Sequence, residues 1–407
     1  MLPTTMRYWH AVLAFAVAAA ISGVLTPVVG RLARRLGAVD RPRERGLARI
    51  ETPLLGGIAI LAGAVVAAAI WVPDTPLTHL HAILLGACLI TVVGVVDDLL
   101  NLRAWQKLIG QIGAAVIAVQ GGVKLASIVL PFVGQLAFPR AGPLHAGPIL
   151  SVVFLVAVMN AVNFSDGIDG LAAGLCVIDG IAFSVLAFDL ARGPTEISVV
   201  AAAILAATTA GAALGFLVHN FHPASVFMGD AGANLLGYLL GVAAIQGSLK
   251  TQAVVALVVP LMILAVPFLD TAFVVAKRLK YRRVPWGADA NHFHHRMSRL
   301  GFSERKTVAY LYVWTVMLAG VAIALRFVPY HDHRPPYHYH LGWVLVMAAI
   351  CLAAAAASVY LVFVLEIFKF KLHRARELAE RDPATSEREI EAQVEREIET
   401  GEFERVP

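Results

Sequence analysis

Apolar runs of about 20 residues recur along this chain and constrain it more than any other feature. A run of that length crosses the hydrocarbon core of a bilayer as a helix. There is no water in that layer to bond a free N–H or C=O, so each crossing must satisfy its own backbone. Runs at approximately 8–30, 53–72, 81–97, 106–120, 148–162, 170–188, 196–218, 231–247, 252–278, 307–328 and 341–366 predict about eleven helices and an all-α polytopic membrane protein. Composition agrees. The chain is 58% hydrophobic and 15% charged, against about 25% charged in a soluble domain. Cys88, Cys176 and Cys351 all lie inside apolar runs without metal-ligand spacing and read as small apolar fillers.

Charge sets the orientation. Only Arg7 precedes the first run, whereas Arg31, Arg34 and Arg35 follow it, the reverse of a signal peptide. The first run is therefore expected to be a retained helix with its N-terminus outside. Seven arginines lie between Arg31 and Arg49, and nine lysines and arginines between Lys277 and Lys306. An odd number of crossings puts both clusters inside, together with the basic start of a cytoplasmic C-terminal tail, as the positive-inside rule requires. The net charge of +5 is thus accounted for by topology and implies no nucleic acid. Residues 1–366 form one membrane domain and 367–407 a Glu/Arg-rich tail with no assigned chemistry. The Pro/Gly-rich outer stretch 121–147 suits a small hairpin or a re-entrant piece.

The unusual polar residues collect on the inner face. Asp97 and Asp98 end the third run, and two adjacent carboxylates repel each other and resist desolvation. Asn163, Asp166 and Asp169 join runs five and six; they share a face if that segment is helical. Asp230 opens run eight within "FMGDAGANLLG", where an N-cap role is the plain alternative. His292, His294 and His295 lie in the largest inner loop. Their spacing lacks the second cluster of a zinc site, and with Arg282, Arg283, Arg296 and Arg299 nearby they read as an anion-binding patch. Carboxylates converging on one membrane edge suit a hard divalent cation, Mg²⁺ with Mn²⁺ as a substitute, and a phosphorylated substrate. Phosphoryl transfer, which depends mostly on positioning and charge neutralisation, fits these parts.

Six segments in order, "DRPRERGLARIETPLLGGIAI", "VVDDLLNLRAWQKLIGQ", "NAVNFSDGIDGLAAG", "FMGDAGANLLG", "VPFLDTAFVVAKRL" and "NHFHHRMSRLGFSERKTV", resemble the polyprenyl-phosphate N-acetylhexosamine-1-phosphate transferases over about residues 20–330. The resemblance implies transfer of a sugar-1-phosphate from a UDP-sugar to polyprenyl phosphate, with release of UMP. It implies Asp97 as base or nucleophile beside Asp98, and Mg²⁺ held by Asp230 with Asn163 and Asp98. It also implies Arg49 and Lys107 near the phosphates, Asp166, Asp169 and Phe227 around the nucleoside, and His292, His294 and His295 on the phosphates or sugar. The implied partners are the UDP-sugar, the polyprenyl phosphate and the membrane; a homodimer is compatible. The implied location is a bacterial plasma membrane with the active site on the cytoplasmic face.

The histidine-containing loop is similar to that of the WecA/TagO-like branch, which uses UDP-GlcNAc. The alternative within the superfamily is an MraY-like phospho-MurNAc-pentapeptide transferase. A proton- or metal-coupled transporter would instead need acids near the bilayer midplane, whereas the acids of these clusters sit at one edge. One departure stands out: many relatives carry a third acid three residues after the pair, where this chain has Asn101. That position is left out of the expected metal site.

Overall fold

The computed structural model describes residues 4–40, 51–75, 78–125, 127–130, 134–137, 146–191, 197–248, 302–329 and 340–360, with single residues between 264 and 268 and between 375 and 394. Arg49, His292, His294 and His295 lie outside the described residues. So does nearly all of the helix predicted over 252–278, and most of the tail.

In chain order the described elements are α1 (Thr4–Leu36), β1 (Val39–Asp40), β2 (Thr52–Pro53), α2 (Gly56–Trp71), α3 (Leu80–Leu100) and α4 (Ala104–Gln120). They continue with β3 (Ser127–Leu130), β4 (Gly134–Ala137), α5 (Ala146–Ser165), α6 (Leu171–Leu190), α7 (Ile197–Asn220), α8 (Gly229–Ser248), α9 (Glu304–Phe327) and α10 (Leu341–Val359). Among the described residues, seven of these helices (α1, α3, α5, α6, α7, α9 and α10) are long and apolar enough to cross a membrane. The chain is an all-α polytopic membrane protein. β3 and β4 pair antiparallel, as the small hairpin expected after α4 would.

Two compact units divide the chain. The first comprises Met1–Phe268 with Leu311–Val328, and the second Leu269–Tyr310 with Pro329–Pro407. In the second unit α10 presents apolar side chains such as Leu341, Leu345 and Leu352 on its exposed surface, as a lipid-facing helix does. Leu378, Ile390 and Val394 of the tail form a small cluster of their own.

The first unit holds the candidate site. α8 lies at its centre, packed by α2, α3, α5, α6 and α7, and α7 is in turn covered by α1, α2 and α6. Small residues make this possible. Gly23 of α1 faces Gly215 of α7, and a side chain at Gly211 would run into the backbone of Phe15. Such close approach replaces the hydrophobic drive that helices lack in lipid.

Helix boundaries differ from the apolar runs where polar residues extend a helix. α1 continues through Arg31, Arg34 and Arg35 to Leu36 before Gly37, at φ +75°, ends it. Charged residues are good helix formers once outside the hydrocarbon, so loss of apolarity does not end a helix. α3 likewise includes the aspartate pair and stops at Asn101, which has φ 52° and donates its N–H to the carbonyl of Asp97. Asparagine tolerates the left-handed cap conformation. Asn101 therefore serves the backbone as the end of α3.

Candidate active site

The site is organised by the first turn of α8. The leading N–H groups of a helix have no partner within it, and here another helix supplies one. Asp98 Oδ1 accepts the Asp230 N–H at 2.8 Å, and Oδ2 accepts the Ala231 N–H at 3.4 Å. Gly229, at φ +68°, permits this approach, because a Cβ there would collide with the Asp98 carboxylate. Gly94 on α3 leaves room for the backbone at Ala231, and Gly57 on α2 for that of Gly232. The first turn of α2 is satisfied in turn: Gly56 and Gly57 donate to the carbonyls of Phe227 and Met228, each at 3.0 Å, and Phe227 donates to Pro53 at 2.9 Å. Phe227, expected near the nucleoside, is thus fixed through its backbone beside the site.

Asp230 is therefore not the cap of α8 but lies inside its first turn, with its carboxylate directed to other contacts. Its Oδ2 pairs with the Lys107 ammonium, which also pairs with Asp97 Oδ2. Its Oδ1 accepts the Asn163 amide at 2.8 Å. Asp97 is held from its other side, where Oδ1 accepts the Leu102 N–H at 2.7 Å across the α3–α4 turn. Sequence neighbours thus divide the work: Asp98 turns toward the end of α8, and Asp97 toward Lys107.

One turn further along the helices is a second polar layer that the apolar-run reading missed. Gln111 of α4 donates to Asn234 Oδ1 at 2.7 Å and accepts from Asn160 of α5 at 2.8 Å. Asn234 donates to the Asp230 carbonyl at 2.8 Å. Gln111 and Asn234 are buried. The signal was present as spacing: Gln111 follows Lys107 by four residues and Asn234 follows Asp230 by four, one helical turn in each case.

The α5–α6 turn departs from the shared-face expectation. α5 ends at Ser165 and the following residues turn, so Asn163, Asp166 and Asp169 do not line one helix. Burial, together with the negative charges of Asp230, Asp98 and Asp169, pushes the Asp166 carboxyl up to about 8. Asp169 Oδ2 instead contacts the His222 ring and accepts the Ala224 N–H, both at 2.9 Å. It braces the α7–α8 loop, while Asn220 accepts the Gly170 N–H at 3.1 Å.

Another acid breaks the one-edge pattern. Asp179 lies in the middle of α6, fully buried, with no hydrogen-bond partner among the described residues. A transport path needs a chain of such groups or a broken helix; α6 is continuous through this position. At the α8 end, by contrast, Asp97 and Asp230 share the Lys107 ammonium and Asp98 bonds the backbone at Asp230.

Residues 80–248 match the family model described as Glycosyl transferase family 4. The chain is 35% identical over 326 residues, 79% of its length and 86% of the relative's, to a probable undecaprenyl-phosphate N-acetylglucosaminyl 1-phosphate transferase of Bacillus subtilis. It is 35% identical over 335 residues to a decaprenyl-phosphate N-acetylglucosaminephosphotransferase of Mycobacterium leprae, covering 77% of this chain and 83% of that one. It is 34% identical over 327 residues to a phospho-N-acetylmuramoyl-pentapeptide-transferase of Moorella thermoacetica, covering 76% and 96%. The aspartate pair, Lys107, the α5–α6 turn and Asp230 all fall within the matched region, and the chain belongs to the polyprenyl-phosphate N-acetylhexosamine-1-phosphate transferase superfamily.

Proposed function

We propose that this protein transfers GlcNAc-1-phosphate from UDP-GlcNAc to a polyprenyl phosphate, releasing UMP, at the cytoplasmic face of a bacterial plasma membrane. The observation that carries the reading is the meeting of Asp97, Lys107, Asn163 and Asp230 at the start of α8, within a chain whose relatives bear that activity in their names.

In the proposed reaction an oxygen of the lipid phosphate attacks the β-phosphorus of the UDP-sugar. A new P–O–P linkage forms, the bond between the α- and β-phosphates breaks, and UMP leaves with the electron pair. Asp97 takes the proton from the lipid phosphate; its Oδ1 is anchored to the Leu102 N–H, which leaves Oδ2 to the Lys107 side of the site. Lys107 offsets charge on the phosphates as they approach the carboxylates. Asp98 keeps the α8 terminus in place through the N–H groups of Asp230 and Ala231. Preorganised charge of this kind is the main resource in phosphoryl transfer.

The donor set suits Mg²⁺. Burial first, and then the negative charges of Asp230, Asp98 and Asp169, push the Asp166 carboxyl up to about 8, and a hard divalent cation beside these acids relieves their mutual repulsion. Asp230, with Asn163 and Asp98 beside it, would hold the ion; when bound it neutralises phosphate charge and stabilises the leaving oxygen. By the family resemblance, Arg49, His292, His294 and His295 match phosphate- and sugar-binding positions, and Asp166, Asp169 and Phe227 match positions around the nucleoside.

Purified protein given UDP-GlcNAc, polyprenyl phosphate and Mg²⁺ should release UMP, and tunicamycin should block the release. No UMP from any UDP-sugar sinks the reading. The 34% identity to a phospho-N-acetylmuramoyl-pentapeptide-transferase supports a second reading within the same reaction. UMP release from UDP-MurNAc-pentapeptide in place of UDP-GlcNAc would establish it.

A further inference from the structure

The two polar layers between α4, α5 and α8 share one pattern. At the membrane edge, Lys107 and Asn163 meet the carboxylate of Asp230. One helical turn deeper, Gln111 meets Asn234 and Asn160 meets Gln111. Each helix thus contributes one residue to each layer, and both α4–α8 contacts join residues separated by the same 123 positions. That equality fixes the register of α4 against α8 at two successive turns.

The deeper layer also has a direction. The Asn160 amide donates to Gln111, Gln111 donates to Asn234, and Asn234 donates to the backbone carbonyl of Asp230. Its links are side-chain amides, so the chain carries no net charge and can lie deep in the helix bundle at little electrostatic cost. Buried amides without partners would be expensive; each link here is made. Apolar contact alone allows two helices to slide by a fraction of a turn, which directional hydrogen bonds between them do not.

We infer that Gln111, Asn160 and Asn234 form a positioning relay that sets the register of α4 and α5 against α8, so that Lys107 and Asn163 reach the two oxygens of Asp230. These are positioning residues: they act through Asp230 and Lys107 and touch no substrate. The inference rests on the proposed function only for its kinetic consequence; the geometric consequence stands without it.

The test shortens the relay and then restores its reach. Gln111→Asn removes one methylene from the bridge, and adding Asn234→Gln returns it on the facing helix. UMP release in detergent is expected to lose about 10- to 100-fold in kcat with Gln111→Asn, as for other residues that orient a site's ligands. The KM for UDP-GlcNAc should stay within about twofold, since the relay does not touch the nucleotide. The double variant should regain most of the lost rate. A third protein with leucine at all three positions removes every buried amide together and should keep a melting temperature near that of the unaltered chain, yet remain slow.

A second readout needs no substrate. Lys107 is shielded by Asp97 and Asp230, so its labelling by an amine-reactive reagent, followed by mass spectrometry, should quicken several-fold in Gln111→Asn and slow again in the double variant. Unchanged kcat and unchanged labelling in Gln111→Asn overturn the inference. So does a rate that simply follows melting temperature across all the variants, which would make the layer structural glue. If the unaltered protein releases no UMP, the functional reading fails on its own, and the labelling pattern still decides the relay.

Discussion

α7 and α8 are both enclosed by other helices, yet they accommodate burial in different ways. α7 is built from alanine, glycine and other small or apolar residues, and its neighbours approach its backbone directly, as at Gly211 and Gly215. Between its first and last turns, two central threonines are the polar exception; at the last turn His219 contacts the Gly23 carbonyl of α1 and Asn220 accepts the Gly170 N–H. Thr209 bonds back to the Leu205 carbonyl at 2.8 Å, while the Thr208 hydroxyl has no partner among the described residues. α8 instead carries Asp230, Asn234, Tyr238 and Gln246, and each makes a bond to another helix or to the loop beside one. Depth of burial is therefore not what marks the functional helix. The mark is polar groups spread along the helix, rather than only at its end, whose partners come from other parts of the chain.

The largest effects should come from breaking the charged layer. Asp97→Asn and Asp230→Asn are each expected to lower kcat by about 10³-fold or more, since proton transfer and charge placement each supply factors of that order. The protein should still elute as a folded species from detergent chromatography. Normal turnover in Asp230→Asn would remove Asp230 from the cation site. Lys107→Met should come next, at about 10²-fold in kcat/KM, with the sharper consequence that Asp97 and Asp230 face each other without their shared ammonium. A Lys107→Arg protein should recover part of the loss; if it is no better than Lys107→Met, charge alone is not what Lys107 contributes.

The sequence made the ends of the charged layer legible but not its internal wiring. Asp97, Asp98, Asp230 and Asn163 stood out because charged and amide groups at the edge of apolar runs are costly and need a reason, whereas Lys107 came from the family resemblance. The length of the apolar runs located the described helices for the same reason: hydrocarbon permits few alternatives. What it could not give was direction. Nothing in two adjacent aspartates says that one bonds a helix terminus 132 positions later while the other holds a lysine on the next helix. Asp169 looked equivalent to Asp166 by spacing, and only the turn after Ser165 separates their tasks. Asn101 looked like a missing acid and is a left-handed helix end. Gln111, Asn160 and Asn234 were hidden because neutral amides barely disturb hydropathy.

Two glycines give the comparison a matched pair. Gly94→Ala puts a methyl group against the backbone of Ala231 at the site end of α8, and Gly215→Ala puts one against the backbone of Ala19 between α1 and α7. Overpacking at a close helix crossing costs about 1–3 kcal/mol, so both proteins should melt several degrees lower in detergent. They should differ in turnover per folded molecule. Gly94→Ala displaces the turn that holds Asp230 and should lose activity beyond its loss of stability, whereas Gly215→Ala should keep its rate. Equal losses in both would mean that α8 is held no more tightly to the chemistry than α7 is.

The smallest effect should come from the orphan hydroxyl of α7, and it should have the opposite sign. Thr208→Val replaces a buried Oγ1 that has no partner among the described residues with a methyl group of nearly the same size, keeping the β-branched shape. An unsatisfied hydroxyl in an apolar interior costs about 1 kcal/mol or more, so its removal should leave the melting temperature unchanged or raise it slightly, with turnover unaffected. The matching change on α8, Asn234→Leu, is expected to lower turnover even if the fold survives, because it leaves Gln111 without its acceptor. Loss of stability in Thr208→Val would mean that this hydroxyl has a partner from beyond the described residues, and the contrast between an idle side chain in the middle of α7 and an α8 whose Asp230, Asn234, Tyr238 and Gln246 each reach another part of the chain would then fall.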